Sequence, residues 1–424
     1  MRELKDSGIA WIGDIPNEWS IQRVKHAFTR KIEKAMQENP VVLSLARSGV
    51  RIRDISTNEG QVAESYFNYN PVDVDDLLLN PMDLYSGANC SISKVVGVIS
   101  PAYINLRSEN GINPTFYDYY FKVQYWMMAF FAHGKGVSFE NRWTLNTETI
   151  MNYPIVSLPY TEQCRIADYL DVKCAKIDSM VEKQQQVIEK LTAYKLSVIT
   201  EAVTKGLNLD APMKDSNVKW IGAIPQNWRL SHIGNLAEMG SGGTPDRQKI
   251  EYWTEGTIPW MASGEINYEY VYETNEKITE LGMQNSNAKL LPVNTVMLGL
   301  IGQGKTKGLT AILKIESTCN QNLAYLIPSP KLLHHSYLFY CFKAMYYYVR
   351  GLVGDSQAGI YLYFLKKLYI PLPEVDEQFS IAKSLDNKCA KIDIVITKKQ
   401  ALIDKLIEYK KSLIYEAVTG KLEV

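Results

Sequence analysis

One feature constrains this chain more than any other: it is written twice. DSGIAWIGDIPNEW at residues 6–19 returns as DSNVKWIGAIPQNW at 215–228, with Asp6, Ser7, Trp11, Ile12, Gly13, Ile15, Pro16 and Trp19 recurring at one constant offset. A 46-residue block beginning at Glu162 returns from Glu377 with about 26 identical positions. A repeat has to be recognised first, because each copy is one structural unit. Between the shared blocks, residues 20–158 and 229–374 are similar in length and unlike in content. Two scaffolding elements are held alike while two domains differ, which suits two domains doing the same kind of job on different targets.

The longer block has a seam. Leu170, Cys174, Ile177, Val181, Ile188, Leu191, Val198 and Ala202 fall on a seam of alternating three- and four-residue steps with two positions skipped, and so do Leu385, Cys389, Ile392, Ile396, Ile403, Leu406, Leu413 and Ala417. That is heptad spacing, and it predicts a coiled coil rather than two unrelated amphipathic helices. Two seam positions are polar in both copies, Gln184 and Lys195 against Lys399 and Lys410. Polar seam residues sacrifice stability for register. A helix of about 45 residues is roughly 67 Å long. A parallel pair would force the segment from Gly206 to Trp228 to run back almost fully extended, so the expectation is antiparallel.

The expected organisation is a first variable domain over 1–158, a long helix over 159–210, a second variable domain over 211–374 and a second long helix over 375–424. Each variable domain mixes β-branched and aromatic strand-like runs with helical patches, making the chain α+β with an internal pseudo-twofold repeat. The aromatics of 117–131 and 337–348 read as core.

Composition narrows the function. The chain has 424 residues, enough for two or three domains, with 46 basic and 46 acidic side chains. Residues 1–158 carry 15 basic and 17 acidic side chains, and 211–374 carry 15 and 13. A nucleic-acid face must therefore be local, with a partner supplying much of the backbone grip. Six cysteines without a C-x-x-C pair and five scattered histidines indicate neither a metal site nor a disulfide framework. No apolar run is long enough to span a bilayer and the start lacks a signal-peptide core, so the expected location is cytoplasmic, with no membrane partner.

Catalytic motifs are thin. Gly299-Leu300-Ile301-Gly302-Gln303-Gly304-Lys305-Thr306 spells the P-loop pattern, but a P-loop runs on into a helix and the continuation KGLTAILKI reads as a strand. Asn113-Pro114-Thr115-Phe116 is one residue from an amino-methyltransferase pattern without the accompanying glycine-rich loop, and reads as a turn. Asp171-Val172-Lys173 has nuclease-like spacing but falls on a solvated face of the coiled coil.

The W-I-G-x-I-P-x-x-W blocks, the approach to E-Q-x-x-I-A-x-x-L-D, the K-C-A-K-I-D heptads, the S-x-I-x-E-A-V-T-x-x-L helix ends, and G-G-T-P with I-P-W-M-A-S-G-E-I resemble the specificity subunit of Type I restriction-modification enzymes. The resemblance spans essentially the whole chain. It implies a non-catalytic subunit with two target-recognition domains, each reading one half of a split, asymmetric site in double-stranded DNA, and a coiled coil that sets the gap. It also implies two methyltransferase subunits holding S-adenosylmethionine, and restriction subunits using ATP and Mg to translocate, with no cofactor or metal in this chain.

Loop residues resembling the family's groove-facing positions are Arg47, Ser48, Arg51, Arg53, Ser86 and Asn89 in the first domain, and Arg247, Gln303, Lys305, Lys307 and Tyr361 in the second. Arginine suits guanine, and glutamine or asparagine suits adenine. The repeated blocks around Trp11 and Trp220 are expected to pack against helix ends. The residues alone leave one alternative, a coiled-coil scaffold that assembles proteins without reading DNA sequence.

Overall fold

The computed structural model describes residues 2–56, 63–82, 84, 90–136, 143–208, 210–302, 306–351 and 359–424. The chain divides into two compact units, Met1–Gln185 with Ala401–Val424, and Gln186–Gln400. The two long helices, Tyr160–Lys205 and Val375–Val418, each contribute to both units.

The first unit opens on a hairpin, Leu4–Asp6 against Asp14–Pro16. Strand Ser20–Arg23 then pairs antiparallel with Pro154–Ser157, tying the start of the variable stretch to its end. Between them lies a four-stranded antiparallel sheet in the order Phe28–Arg30, Ile104–Ser108, Leu77–Leu79, Cys90–Ile92. All three leucines of Leu77–Leu79 are buried, because both faces of the strand are covered. Leu77 and Leu79 join the main core with Phe116, Tyr117, Tyr120 and Phe121, while Leu78 packs with Leu43, Leu45, Val72 and Ile99. Those four aromatics belong to helix Pro114–Trp126, which begins where the Asn113 side chain accepts from Phe116 N at 3.1 Å and Pro114 occupies the first turn. The N-P-T-F run is thus a helix cap.

The second unit repeats the frame. Met213–Asp215 pairs with Ala223–Pro225, and Arg229–His232 with Tyr369–Leu372. Its five-stranded sheet runs Ala237–Ser241, Leu323–Pro328, Val296–Gly299, Thr310–Leu313, Tyr270–Val271. The first four are antiparallel neighbours and the last pair is parallel. Helix His335–Ala344 covers the sheet with Tyr337, Leu338, Phe339 and Phe342, all buried. Most of both aromatic runs is core, as expected, while Tyr347 is exposed.

Gly299 N donates to Leu309 O at 2.9 Å and Gly308 N to Gly299 O at 2.8 Å, closing a hairpin between Val296–Gly299 and Thr310–Leu313. The P-loop spelling therefore leads into an antiparallel strand and not into a helix. Among the described residues, no helix is long and apolar enough to cross a membrane.

Neither long helix contains glycine or proline, and each ends at a glycine of positive φ, Gly206 (77°) and Gly420 (73°). In the first unit Leu170, Cys174 and Ile177 pack with Leu413, Ile414, Ala417 and Val418, and half-buried Val181 and Leu406 adjoin them. In the second, Ile199, Ala202 and Val203 pack with Ile381, Ala382, Leu385 and Cys389. Ile403 is also buried, whereas Ile188, Leu191, Ile392 and Ile396 are half-buried, as two helices alone cover a seam less completely than helices backed by a domain.

Candidate nucleic-acid interface

Whatever the variable domains present to a ligand is held in place by a set of side chains that occurs once per unit. The indole Nε1 of Trp19 donates to Glu162 Oε2 at 3.1 Å, and that of Trp228 to Glu377 Oε2 at 3.1 Å. The same two indoles lie over the glycines that end the long helices. A Cβ on Gly420 would meet Trp19 at 3.1 Å and Pro16 at 2.4 Å, and one on Gly206 would meet Trp228 at 3.0 Å. Each Trp thus touches the start of one long helix and the end of the other within its own unit, which makes the helix segments of each unit antiparallel.

The neighbouring glutamines do a second job. Gln163 Oε1 accepts from Asn113 N at 2.8 Å while its Nε2 donates to Leu158 O and Gly111 O. Gln378 Oε1 accepts from His334 N at 2.8 Å while its Nε2 donates to Leu332 O and Pro373 O. Both amides are buried. They satisfy main-chain groups at the point where the domain's helix begins, groups that would otherwise be stranded away from water. Further out, Tyr119 Oη donates to Asp171 Oδ1 and Tyr340 Oη to Asp386 Oδ1, each at 2.7 Å. Burial, reinforced by these carboxylates, pushes both phenols up, so they remain donors. Asp171 is therefore a docking acceptor on the helix.

Two of the three polar seam lysines are paired. Lys410 Nζ sits 2.7 Å from both carboxylate oxygens of Asp178 in the first unit. Lys195 Nζ sits 2.8 and 2.7 Å from those of Asp393 in the second. Burial alone would lower the Lys195 ammonium, but the Asp393 hydrogen bond and charge outweigh it and hold it above the usual lysine range. The two pairs use the same two positions of the repeat in reciprocal roles, so register is written twice.

The residues expected to face DNA fall into three groups. Arg47 and Ser48 form the exposed two-residue turn of the hairpin Leu43–Ala46 and Gly49–Ile52, and Arg51 is exposed on its second strand with Nε 3.4 Å from Ser44 Oγ. Arg53, half-buried, bonds through its main-chain N to Val42 O. This hairpin brings four of the six first-domain candidates onto one element. In the second domain Tyr361 is exposed at the start of the helix Leu362–Lys366, and Lys307 is half-buried with its carbonyl accepting from Arg350. Arg247 is already engaged: its guanidinium lies 3.7 Å from the Trp253 ring centroid and Nη2 bonds Glu276 at 2.9 Å. The Glu276 hydrogen bond raises the arginine and the arginine lowers the glutamate. Ser86, Asn89, Gln303 and Lys305 lie outside the described residues.

In the sequence Glu162-Gln163 and Glu377-Gln378 are shared letters that carry no role of their own. Their identity in both copies was the available signal; the partners are an invariant indole and main-chain atoms, which carry no pattern of their own.

Comparison with known proteins agrees with this geometry. Residues 225–404 match the model of the Type I restriction modification DNA specificity domain. The chain is 33% identical over 171 residues to the Type I restriction enzyme MjaIX specificity subunit of Methanocaldococcus jannaschii, covering 39% of this chain and 38% of that one. It is 28% identical over 158 residues to the EcoR124I/EcoR124II specificity subunit of Escherichia coli, so it spans well under half the length of these two relatives. A longer, weaker similarity, 21% over 406 residues, covers 88% of this chain and 79% of the EcoBI specificity subunit of Escherichia coli. Among solved structures, a chain from a study of complex assembly and conformational transition of the type I R-M system is similar over 96% of this chain and 99% of that one, with TM-score 0.72 at 14% identity. The HsdS subunit from Thermoanaerobacter tengcongensis is similar over 96% and 98%, with TM-score 0.51 at 15% identity. These likenesses place the fold among such subunits. A duplicated frame, two unlike domains, and matches that together run almost end to end lead to one conclusion: along almost its whole length the chain is similar to the specificity subunits of Type I restriction-modification enzymes.

Proposed function

We propose that the chain is the non-catalytic, sequence-reading subunit of a Type I restriction-modification complex, each variable domain addressing one half of a bipartite, asymmetric site in double-stranded DNA. The observation that carries this reading is the twin frame. Trp19–Glu162 and Trp228–Glu377, with Gln163 and Gln378, hold two dissimilar domains by identical contacts, and the reciprocal Lys–Asp pairs join the two long helices within each unit. Equal mounting with unequal content is what a reader of two different half-sites requires.

The paired long helices set the gap between the half-sites and dock two methyltransferase subunits. Those subunits hold S-adenosylmethionine and bring the target base out of the stack, and restriction subunits supply ATP- and Mg-dependent translocation and cutting. All of this takes place in the cytoplasm. The chain's zero net charge fits an arrangement in which its partners neutralise much of the phosphate backbone. The hairpin bearing Arg47, Ser48, Arg51 and Arg53 is the first domain's candidate groove reader.

Adenine-methylation mapping of cells with and without this gene tests the reading. One bipartite methylated motif is expected to vanish on deletion; a methylation pattern that does not change contradicts it.

A further inference from the structure

The G-G-T-P run of the second variable domain opens a cleft that none of the described candidate readers above lines. A Cβ at Gly242 would lie 2.0 Å from the Cys319 carbonyl oxygen, and one at Gly243 would lie 2.6 Å from the Asn287 carbonyl carbon. Only glycine permits so close an approach. It draws three segments, 242–246, 284–287 and 319–321, around one open groove of about 670 Å³. The floor is fixed: Gly243 N donates to Cys319 O at 2.9 Å and Gly243 O accepts from Trp260 Nε1 at 3.0 Å.

The groove is lined by primary amides. Gln284, Asn287 and Gln321 are exposed in it, beside Thr244 and Asp246. The Thr244 hydroxyl donates to Gln321 Oε1, which orients that amide and leaves its Nε2 without a partner among the described residues. The side chains of Gln284 and Asn287 likewise make no hydrogen bond among the described residues. Among the described residues no lysine or arginine lines the groove, and Asp246 adds a carboxylate, so they offer a phosphate no countercharge there. A primary amide instead offers a donor and an acceptor side by side, the match for N7 and the N6 amino group of adenine in the major groove.

We propose that this groove is where the second variable domain reads base edges, with Gln321, Asn287 and Gln284 as specificity-determining residues and adenine as the base they select. The proposal rests on the DNA-reading function argued above. It assigns selection of bases to the amides and leaves the grip on phosphate to residues elsewhere and to partners.

The test uses the full chain assembled with its methyltransferase subunits. The wild-type motif is first mapped by adenine methylation; absence of a bipartite motif at that step overturns the DNA-reading function and this proposal together, before any substitution is made. Gln321→Ala, Asn287→Ala and Gln284→Ala, all at exposed positions, are then assayed on duplexes carrying each single base-pair change and 7-deazaadenine at each adenine of the motif. The expected result is a loss of roughly ten- to a hundredfold in discrimination at one adenine of one half-site in at least one variant, with the other half-site unchanged. At that adenine 7-deazaadenine weakens the wild type and leaves the variant unaffected. Wild-type discrimination at every position in all three variants overturns the proposal. So does a uniform loss across all sequences, and so does a loss of methyltransferase binding with discrimination intact, which would make the groove a protein-docking surface.

Discussion

At the scale of single residues, the twin contacts make a strong demand: equivalent substitutions should behave alike in chemically different surroundings. Gln163→Ala removes bonds to Asn113 N, Leu158 O and Gly111 O, and Gln378→Ala removes those to His334 N, Leu332 O and Pro373 O. Both positions are buried, so main-chain groups are left unpaired. Each substitution is expected to cost about 3 kcal/mol in denaturant unfolding of the unit that contains it. A silent substitution at either position would show that the two amides are not equivalent. Residue-level legibility in the sequence was uneven. The paired Trp and Glu-Gln letters stood out as repeats, but a glutamine whose partners are backbone atoms of a variable domain leaves no complementary letter to find. Arg247 shows the converse: its sequence suggests a free guanine fork, whereas Trp253 and Glu276 already occupy the guanidinium.

At the scale of elements, the long helices were legible because a heptad seam without glycine or proline has one regular solution. Gly206 and Gly420 marked their ends for a physical reason, since both adopt a positive φ where a side chain is strained. Gly420→Ala is expected to cost more stability than Gly206→Ala. Its Cβ would sit 2.4 Å from the Pro16 ring as well as 3.1 Å from Trp19, against 3.0 Å from Trp228 at Gly206. The left-handed strain common to both is about 1 kcal/mol, and the clash adds more at Gly420 than at Gly206; equal losses in thermal unfolding would contradict this packing. The sheets were far less legible. KGLTAILKI was readable as a strand after the P-loop spelling, but nothing in its letters announces that Tyr270–Val271 joins the same sheet in parallel from about forty residues away. Register in such sheets is set by long-range pairing, which alternation along one strand does not encode. The amide-lined groove depends on that pairing as well, because Gly242, Asn287 and Gln321 meet only once the sheet has formed.

At the scale of the whole molecule, the central claim is a division of labour. In the proposed function a repeated frame mounts two readers, each owning one half of the DNA address. The frame's repeated side chains belong to residues 6–19, 215–228 and the long helices, and what they hold in the variable stretches is equivalent in the two units, Asn113 N against His334 N and Tyr119 against Tyr340, so those stretches should be exchangeable between the two mountings. The most direct measurement is adenine-methylation mapping of cells whose chain carries a second copy of residues 20–158 in place of 229–374. The account predicts a motif that becomes symmetric, the first half-site followed by its own inverted copy. Retention of the original asymmetric motif by that chimera would contradict it.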